Sequence, residues 1–213
     1  MLVRDRMTPN PITATPDTFF PDALRIMREK GIRYLPVMDK KSKLIGIVTQ
    51  MDLLRAAPSS ASTLTVFEAN YLLARLQVGE VMSSPITVPE DAPLEEAARV
   101  MVDKGIGCLP VMRNGALVGI ITETDIFKAF LEVLGSGEHV LRITLQMPDV
   151  PGELARMTGV IAELGGNLHS VASFHGADPE HVYITFRLDG VEQDTLVLAL
   201  EEMGERVVHV CCI

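Results

Sequence analysis

Residues 31–38 read GIRYLPVM, and residues 46–52 read GIVTQMD. The chain repeats both stretches, as GIGCLPVM at residues 105–112 and as GIITETD at residues 119–125. The first stretch recurs at an offset of 74 residues and the second at an offset of 73. The lost residue falls between the two stretches, in a polar segment where a hairpin turn tolerates a deletion. An internal repeat therefore organises the first two thirds of the chain.

Each copy shows the same order of local signals. Apolar side chains at helical spacing occupy residues 17–30 and 91–104, and a glycine follows each segment, as is common where a helix ends. In the first copy, apolar segments at 35–38 and 44–48 predict two strands, and Thr49 opens a second helix that reaches about Ala57. The order strand, helix, strand, strand, helix is thus predicted twice. Two copies are too few for a solenoid, so we expect them to face each other as a pseudo-symmetric pair.

These motifs resemble those of the CBS repeat, and the tandem pair resembles a Bateman module. The resemblance covers about residues 1–135. It predicts a first repeat at 1–62, a linking helix at 63–77 and a second repeat at 78–135. The linking segment carries apolar side chains at helical spacing, namely Leu64, Phe67, Tyr71 and Leu72.

The start of the second helix in each copy carries candidate ligand-binding residues. Thr49 with Asp52, and Thr122 with Asp125, fit a capping box, in which a hydroxyl residue and an acidic residue three positions on satisfy free backbone donors. The same groups can bind a ligand, because a helix N-terminus offers N–H groups to a phosphate and an aspartate accepts hydrogen bonds from ribose hydroxyls. The two interpretations are compatible.

The resemblance to CBS proteins implies how an adenosine ligand would lie. The adenine would contact the isoleucines and threonines of one repeat, while the ribose would meet the aspartate and the phosphate the threonine of the other. Each isoleucine, taken alone, also fits an ordinary core position. One expected cleft comprises Ile12, Thr13, Ile32, Thr122 and Asp125, and the other comprises Ile86, Thr87, Ile106, Thr49 and Asp52.

The two expected clefts differ in the residues that follow the shared Gly-Ile pair. Arg33 and Tyr34 follow it in the first copy, where the second copy has Gly107 and Cys108. Arg33 either donates to a phosphate, which Gly107 cannot do, or is a solvated side chain. The first alternative predicts that at most one cleft binds a polyphosphate well. Cys108 is expected to be a small buried apolar residue.

The pattern changes at about residue 139. The periodicity predicts strand, helix, strand, strand, helix and strand, which is the ferredoxin-like arrangement. The six segments are 140–147, 154–164, 168–175, 181–188, 191–203 and 207–213. The fold class of the whole chain is therefore α/β, of the α+β kind.

The motif Asp149-x-Pro151-Gly152-x-Leu154, followed by Gly166-Asn167-Leu168, resembles that of the ACT domain over residues 139–213. A CBS pair joined to an ACT domain is similar to bacterial proteins of the acetoin-utilisation type. The resemblance implies an amino-acid effector site between two subunits, at Asp149, Gly152 and Asn167. Alternatively, the Pro-Gly turn and Asn167 serve only to reverse the chain.

Composition excludes several classes of protein. A net charge of −9 and a pI of about 5.0 argue against a nucleic-acid-binding surface. No apolar run approaches the roughly 20 residues that span a membrane, and the first residues lack the apolar segment of a signal peptide. Three cysteines form no disulfide framework and suit a reducing compartment, so we expect a cytoplasmic protein.

The sequence shows no motif of a catalytic or metal site. A nucleophile elbow, a P-loop and a zinc-protease motif are all absent, so we predict no catalytic residue and no cofactor. In the last strand, His209 and Cys211 share one face and Cys212 points to the other. A tetrahedral zinc site would need further ligands such as His169, His175 or His181, and we predict no metal.

The sequence therefore favours a non-catalytic sensor. It would bind AMP, ADP, ATP or S-adenosylmethionine, take an amino-acid effector at the ACT domain, and act on a partner protein by conformational change. The alternative is a scaffold or interaction subunit with degenerate ligand sites. A homodimer is expected in both cases, because the apolar last strand would otherwise leave an uncovered sheet edge or face.

Overall fold

The computed structural model describes residues 1–56, 65–135, 140–178 and 180–212. Its chain forms two compact units, residues 1–127 and 128–213. Ala57, Leu64, Ile213 and the expected boundaries at residues 62–63 and 139 lie outside the described residues. None of the helices in the described ranges is long and apolar enough to cross a membrane.

The first repeat contains the elements that the periodicity predicts. A 3-10 turn at Val3–Asp5 and a short strand β1 (Thr8–Pro9) precede helix α1. The repeat then continues as α1 (Phe20–Lys30), β2 (Tyr34–Met38), β3 (Leu44–Thr49) and α2 (Gln50–Ala56). Helix α1 begins three residues later than the periodicity suggests, and Pro21 lies in its first turn.

The second repeat follows the same order after a helical connection. The connection contains α3 (Val66–Arg75) and α4 (Val78–Val81), and Thr65 caps α3 by accepting a hydrogen bond from the Glu68 N–H. The elements of the repeat are β4 (Val88–Pro89), α5 (Leu94–Lys104), β5 (Cys108–Arg113), β6 (Ala116–Thr122) and α6 (Glu123–Val133).

Glycine ends the first helix of both repeats. Gly31 and Gly105 have φ of 64° and 63°, in the left-handed region that costs glycine little. The N–H of each glycine and of the residue after it donates to the last turn of the preceding helix. Each helix therefore ends at this glycine, shortly before the next strand begins.

The two repeats exchange their N-terminal segments. Strand β1 of the first repeat pairs with β6 of the second, with Thr8 opposite Ile120 and Pro9 opposite Gly119. Ser83 of the second repeat pairs in turn with Ile47 in β3 of the first. The Ser83 N–H donates to the Ile47 carbonyl at 2.9 Å, and the Ile47 N–H donates to the Ser83 carbonyl at 3.0 Å. This reciprocal crossing joins the repeats into the pseudo-symmetric pair that the sequence predicts.

Small residues at the crossing points allow this exchange. A Cβ on Gly119 would lie 2.4 Å from the sulfur of Met7, and a Cβ on Gly46 would lie 2.4 Å from the sulfur of Met82. Since real contacts are essentially never this short, any larger residue at these two positions would force the methionine side chain to move. A separate apolar cluster of Ile47, Cys108 and Ile120, with Tyr34 packed against it, contains residues of both repeats.

The second unit is the four-stranded antiparallel sheet of a ferredoxin-like fold, with strand order β10-β7-β9-β8. One face of the sheet packs on two helices through Ile143, Leu145, Phe186, Met157 and Ile161. The predicted order β-α-β-β-α-β is confirmed. The elements are β7 (Leu141–Pro148), α7 (Glu153–Glu163), β8 (Asn167–His175), β9 (His181–Asp189), α8 (Gln193–Glu202) and β10 (Arg206–Cys212).

Candidate functional site

The larger of two clefts between the repeats has a volume of about 490 Å³. It combines Thr49 and Asp52 of the first repeat with Ile86 and Ile106 of the second. Gly107 and Cys108 also line it. We call it the large cleft. Its size is within the range of pockets that hold small molecules.

The second cleft, of about 320 Å³, is the pseudo-symmetric counterpart. It combines Thr122 and Asp125 of the second repeat with Ile12 and Ile32 of the first. We call it the small cleft. In each cleft these two isoleucines come from one repeat and the aspartate from the other, while a further isoleucine, Ile47 in the large cleft and Ile120 in the small one, belongs to the repeat of the aspartate.

Thr13 and Thr87, which the sequence analysis assigned to the clefts, do not line them. Both residues are exposed, while Ile12 and Ile86 just before them line the clefts. Successive side chains of an extended segment point to opposite sides, so the isoleucine and the threonine cannot both face the same cleft. The structure therefore groups the isoleucines with the aspartates, and contact of the two threonines with a ligand stays a prediction.

Both aspartates act as helix caps in the structure. The Thr49 N–H donates to Asp52 Oδ2 at 2.9 Å, and the Asp52 N–H donates to Thr49 Oγ1 at 3.1 Å. In the second copy, the N–H and the hydroxyl of Thr122 donate to Asp125 Oδ2 at 2.9 and 2.7 Å. These bonds use Oδ2, so they do not compete with a ligand hydroxyl for Oδ1.

The structure adds cleft residues that the sequence analysis missed. Arg55 lines the large cleft, one turn of helix after Asp52, where residues three apart lie on the same face. Ser83 and Ser84 line the large cleft, and Thr8 and Asn10 line the small one. The spacing Thr49, Asp52, Arg55 was the available signal for the arginine.

Arg33 and Tyr34 line both clefts, so Arg33 is not confined to the one that contains Ile32. The guanidinium of Arg33 lies 5.7 Å from the centre of the Tyr34 ring, and its Nη2 lies 3.8 Å from Glu123 Oε1. Both side chains of this ion pair are about half exposed, at 55% and 50%. Such a pair stabilises the fold little and remains able to exchange partners.

Cys108 is a buried thiol at the wall of the large cleft. Burial, with the nearby carboxylates of Asp52 and Glu123, raises the pKa of this thiol to about 12. Burial, with the neighbouring Cys108 and Glu123, also raises the pKa of Tyr34 above its usual value. Both groups stay protonated at neutral pH, so Cys108 lacks the thiolate that a catalytic cysteine needs.

In the second unit, one copy of the chain does not bring the expected effector residues together. Asp149 directly follows the end of β7 that pairs with His181, and its carboxylate contacts His175 Nε2 at 2.9 Å. Gly152, with φ of 99°, precedes α7. Asn167 pairs with Asp189 at the opposite end of the sheet, about 27 Å away along the strands.

Three of the four described histidines of the second unit have an aspartate partner, namely His169, His175 and His181. His169 contacts Asp189 at 2.8 Å, and His181 contacts Asp178 at 2.7 Å. His209 lies 3.3 Å from Arg142. Among the residues that the structure describes, no three His, Cys, Asp or Glu side chains are grouped so that they could hold a metal ion.

Comparison with known families and structures agrees with this architecture. The CBS domain model matches residues 3–59 and 78–132, and the TTHA0829-like ACT domain model matches residues 140–211. A match at 37% identity over 119 residues covers 56% of an uncharacterized protein from Methanopyrus kandleri, so the chain spans about half the length of that relative.

Solved structures align with about three fifths of the chain. CBSX2 in complex with AMP is 33% identical, with a TM-score of 0.52, over 62% of this chain and 97% of that one. The CBS domain pair of MJ0100, in complex with 5′-methylthioadenosine and S-adenosyl-L-methionine, is 30% identical, with a TM-score of 0.51, over 61% and 95%. A protein from Vibrio cholerae assigned to acetoin utilization (AcuB) is 37% identical, with a TM-score of 0.52, over 65% and 98%. The chain therefore belongs to the CBS-domain family and carries a TTHA0829-like ACT domain at residues 140–211.

Proposed function

We propose that this chain is a non-catalytic regulatory protein that binds an adenosine-containing ligand in the clefts between its CBS repeats. The observation that carries the proposal is the composition of the two clefts. Each combines apolar walls from one repeat with a capped aspartate from the other, and Arg33 borders both. AMP, ADP, ATP and S-adenosylmethionine all contain the adenosine that such a cleft would recognise.

Different residues would contact the three parts of the ligand, which are the adenine, the ribose and the phosphate. Ile86 and Ile106 offer a flat apolar slot for the adenine in the large cleft. Asp52 accepts hydrogen bonds from ribose hydroxyls through the oxygen that its capping bonds leave out. Arg33 and Arg55 supply charge-assisted donors to a phosphate. The ligands of the solved relatives, AMP on CBSX2 and two adenosyl compounds on MJ0100, support this class of ligand.

The chemistry of the clefts favours binding over turnover. Cys108, the thiol at the large cleft, has a raised pKa and is a poor nucleophile at neutral pH. A ligand that contacts both repeats favours the arrangement of the repeats that it binds more tightly, and can thereby alter the surface offered to a partner. The free thiols suit a reducing compartment and support a cytoplasmic location.

The ACT domain would take an amino-acid effector only as a dimer. Asp149 and Gly152 lie at one end of the sheet and Asn167 at the other. Two copies of the chain, placed with opposite ends together, would complete such a site. An amino acid that binds there should therefore promote association of the chain.

Thermal unfolding with a ligand panel tests the main proposal. A ligand at 100 times its dissociation constant stabilises a protein by about 2.7 kcal/mol, which is a rise in Tm of roughly 5–10 °C for a chain of this size. We expect such a rise with at least one of the four adenosyl compounds. The double variant Asp52→Ala/Asp125→Ala should abolish it, while Asp22→Ala, an exposed acid on α1, should leave it unchanged. No rise with any of the four compounds overturns the proposal.

The second candidate is a homodimeric interaction subunit with degenerate ligand sites. It is favoured by large apolar side chains left exposed on helices α3 and α6: Phe67, Tyr71, Leu72, Phe127 and Phe130. Exposed apolar groups of this size mark association surfaces. A dimeric mass in solution, combined with no adenosyl binding, would select this candidate over the sensor.

A further inference from the structure

Among the residues that the structure describes, Arg33 and Tyr34 are the two that line both clefts. Their counterparts in the second repeat are Gly107 and Cys108, which bring neither a charge nor a large side chain. The pseudo-symmetric pair therefore has a single arginine at the wall between its clefts, where strict symmetry would provide two.

Tyr34 and Gly107 show why the second repeat contributes no side chain to the wall at position 107. A Cβ on Gly107 would lie 2.5 Å from Tyr34 Oη and 3.3 Å from the carboxylate of Glu123. The space that a side chain at position 107 would need is thus already taken by Tyr34, next to the ion pair of Arg33 with Glu123. The asymmetry is built into the packing of the wall.

The clefts also differ in their remaining positive charge. The large cleft has Arg55 in addition to Arg33. Of the described residues that line the small cleft, Arg33 is the sole arginine and none is a lysine. A phosphate in the large cleft would meet two guanidinium groups, whereas a phosphate in the small cleft would depend on Arg33 alone.

We propose that Arg33 is a phosphate-binding residue shared by the two clefts, so that a phosphorylated adenosine ligand in one cleft weakens phosphate binding in the other. This inference rests on the proposed function of the clefts. The first phosphate binds in the large cleft, draws Arg33 away from Glu123 and forms charge-assisted bonds with it. The small cleft then lacks its cation and retains only its adenosine-binding groups.

A second phosphate faces two costs. It finds no unengaged guanidinium in the small cleft, and it lies close to the negative charge of the first phosphate across the shared wall. A hydrogen bond to a charged group changes a dissociation constant by roughly 10- to 100-fold. We therefore expect the second AMP to bind at least about tenfold more weakly than the first. Adenosine, which has no phosphate, should fill both clefts with similar affinity.

Isothermal titration of the full chain with AMP and with adenosine tests this inference. The wild type should show two AMP affinities, separated by about tenfold or more, and adenosine should show no such gap. Arg33→Ala should weaken the first AMP by roughly 10- to 100-fold, narrow the gap by the same factor and leave adenosine unchanged; the gap that remains is due to Arg55. Arg25→Ala, an exposed arginine paired with Asp22 on α1, is the matched control and should behave as the wild type. Glu123→Gln, which releases Arg33 from its ion pair, should tighten the first AMP.

The outcomes separate this inference from the function on which it rests. Two AMP molecules bound with equal affinity would overturn the shared role of Arg33 while supporting adenosyl binding. A gap that is as wide in Arg33→Ala as in the wild type would do the same. If neither AMP nor adenosine binds, the proposed function fails and the inference fails with it.

Discussion

The close approach of Gly107 to Tyr34 makes the most detailed prediction about the wall between the clefts. In Gly107→Ala, the new Cβ would lie 2.5 Å from Tyr34 Oη, where ordinary contacts are 3.4–4 Å. The hydroxyl must therefore move by about 1 Å, and the ring can follow only by disturbing its packing on Ile47, Cys108 and Ile120. We expect the free energy of unfolding to fall by about 1–2 kcal/mol and Tm to fall by roughly 3–6 °C.

A double-mutant cycle with Tyr34→Phe measures this contact. The phenylalanine lacks the atom that clashes, so Gly107→Ala should cost little in its background, and the coupling energy should be about 1 kcal/mol. Urea and thermal unfolding, followed by circular dichroism, give the four free energies. Gly159→Ala is the control, because that exposed helix glycine has open space around its Cβ and alanine should stabilise it by about 0.5–1 kcal/mol. An equal cost of Gly107→Ala with and without the Tyr34 hydroxyl would refute the argument.

Three further predictions concern single groups. Because the pKa of Cys108 is raised to about 12, a thiol reagent at pH 8 should label Cys211 and Cys212 quickly and Cys108 slowly, and three fast thiols would contradict the burial. The pKa of this thiol is near 9 in the unfolded chain and about 12 in the folded protein. The stability that the protonated thiol contributes is therefore complete below pH 9 and is lost as the pH rises towards 12. Cys108→Ala should reduce this alkaline loss of stability by about 1 kcal/mol at pH 10. Thr122→Ala removes a capping hydroxyl and should lower the free energy of unfolding by about 1 kcal/mol, whereas Thr122→Ser should cost much less. Arg156→Ala leaves the buried Glu205 carboxylate, only 8% exposed, without that partner and should cost about 2–3 kcal/mol; addition of Glu205→Gln should recover part of the loss, and no recovery would argue against the ion pair.

The elements of both units could be predicted from sequence because they depend on local signals. Helical periodicity located α1 and α5, and Gly31 and Gly105 ended them where the left-handed region requires glycine. The start of α1 was placed three residues early, since periodicity reports which residues face the core and not where the first hydrogen bond forms. Repetition of the motifs then indicated the pairing of the two copies.

The details of the clefts depend on long-range contacts and on side-chain direction. Nothing in the local pattern around Met7 or Met82 shows that each crosses to a glycine of the other repeat. Thr13 and Thr87 are absent from the cleft linings because each comes one residue after a lining isoleucine in an extended segment, where successive side chains face opposite sides. Arg33 was linked to one cleft because sequence reasoning follows chain neighbours, whereas the wall that it forms borders two clefts in space.

The ACT domain illustrates the same division. Its six elements follow from periodicity, and the register of its strands separates Asn167 from Asp149 by the length of the sheet. A motif can name both residues without showing how far apart one chain holds them. Only the relation between two copies of the chain can decide whether they share an effector.

The most direct test of the central claim is an NMR titration of isoleucine methyl groups with AMP. An adenine ring that enters the clefts shifts the methyl signals of the residues that contact it. The account predicts shifts for Ile86 and Ile106 at low AMP and for Ile12 and Ile32 at higher AMP, while Ile143 in the ACT core stays unchanged. Unchanged signals for these four isoleucines at saturating AMP, or shifts confined to the ACT domain, would contradict it.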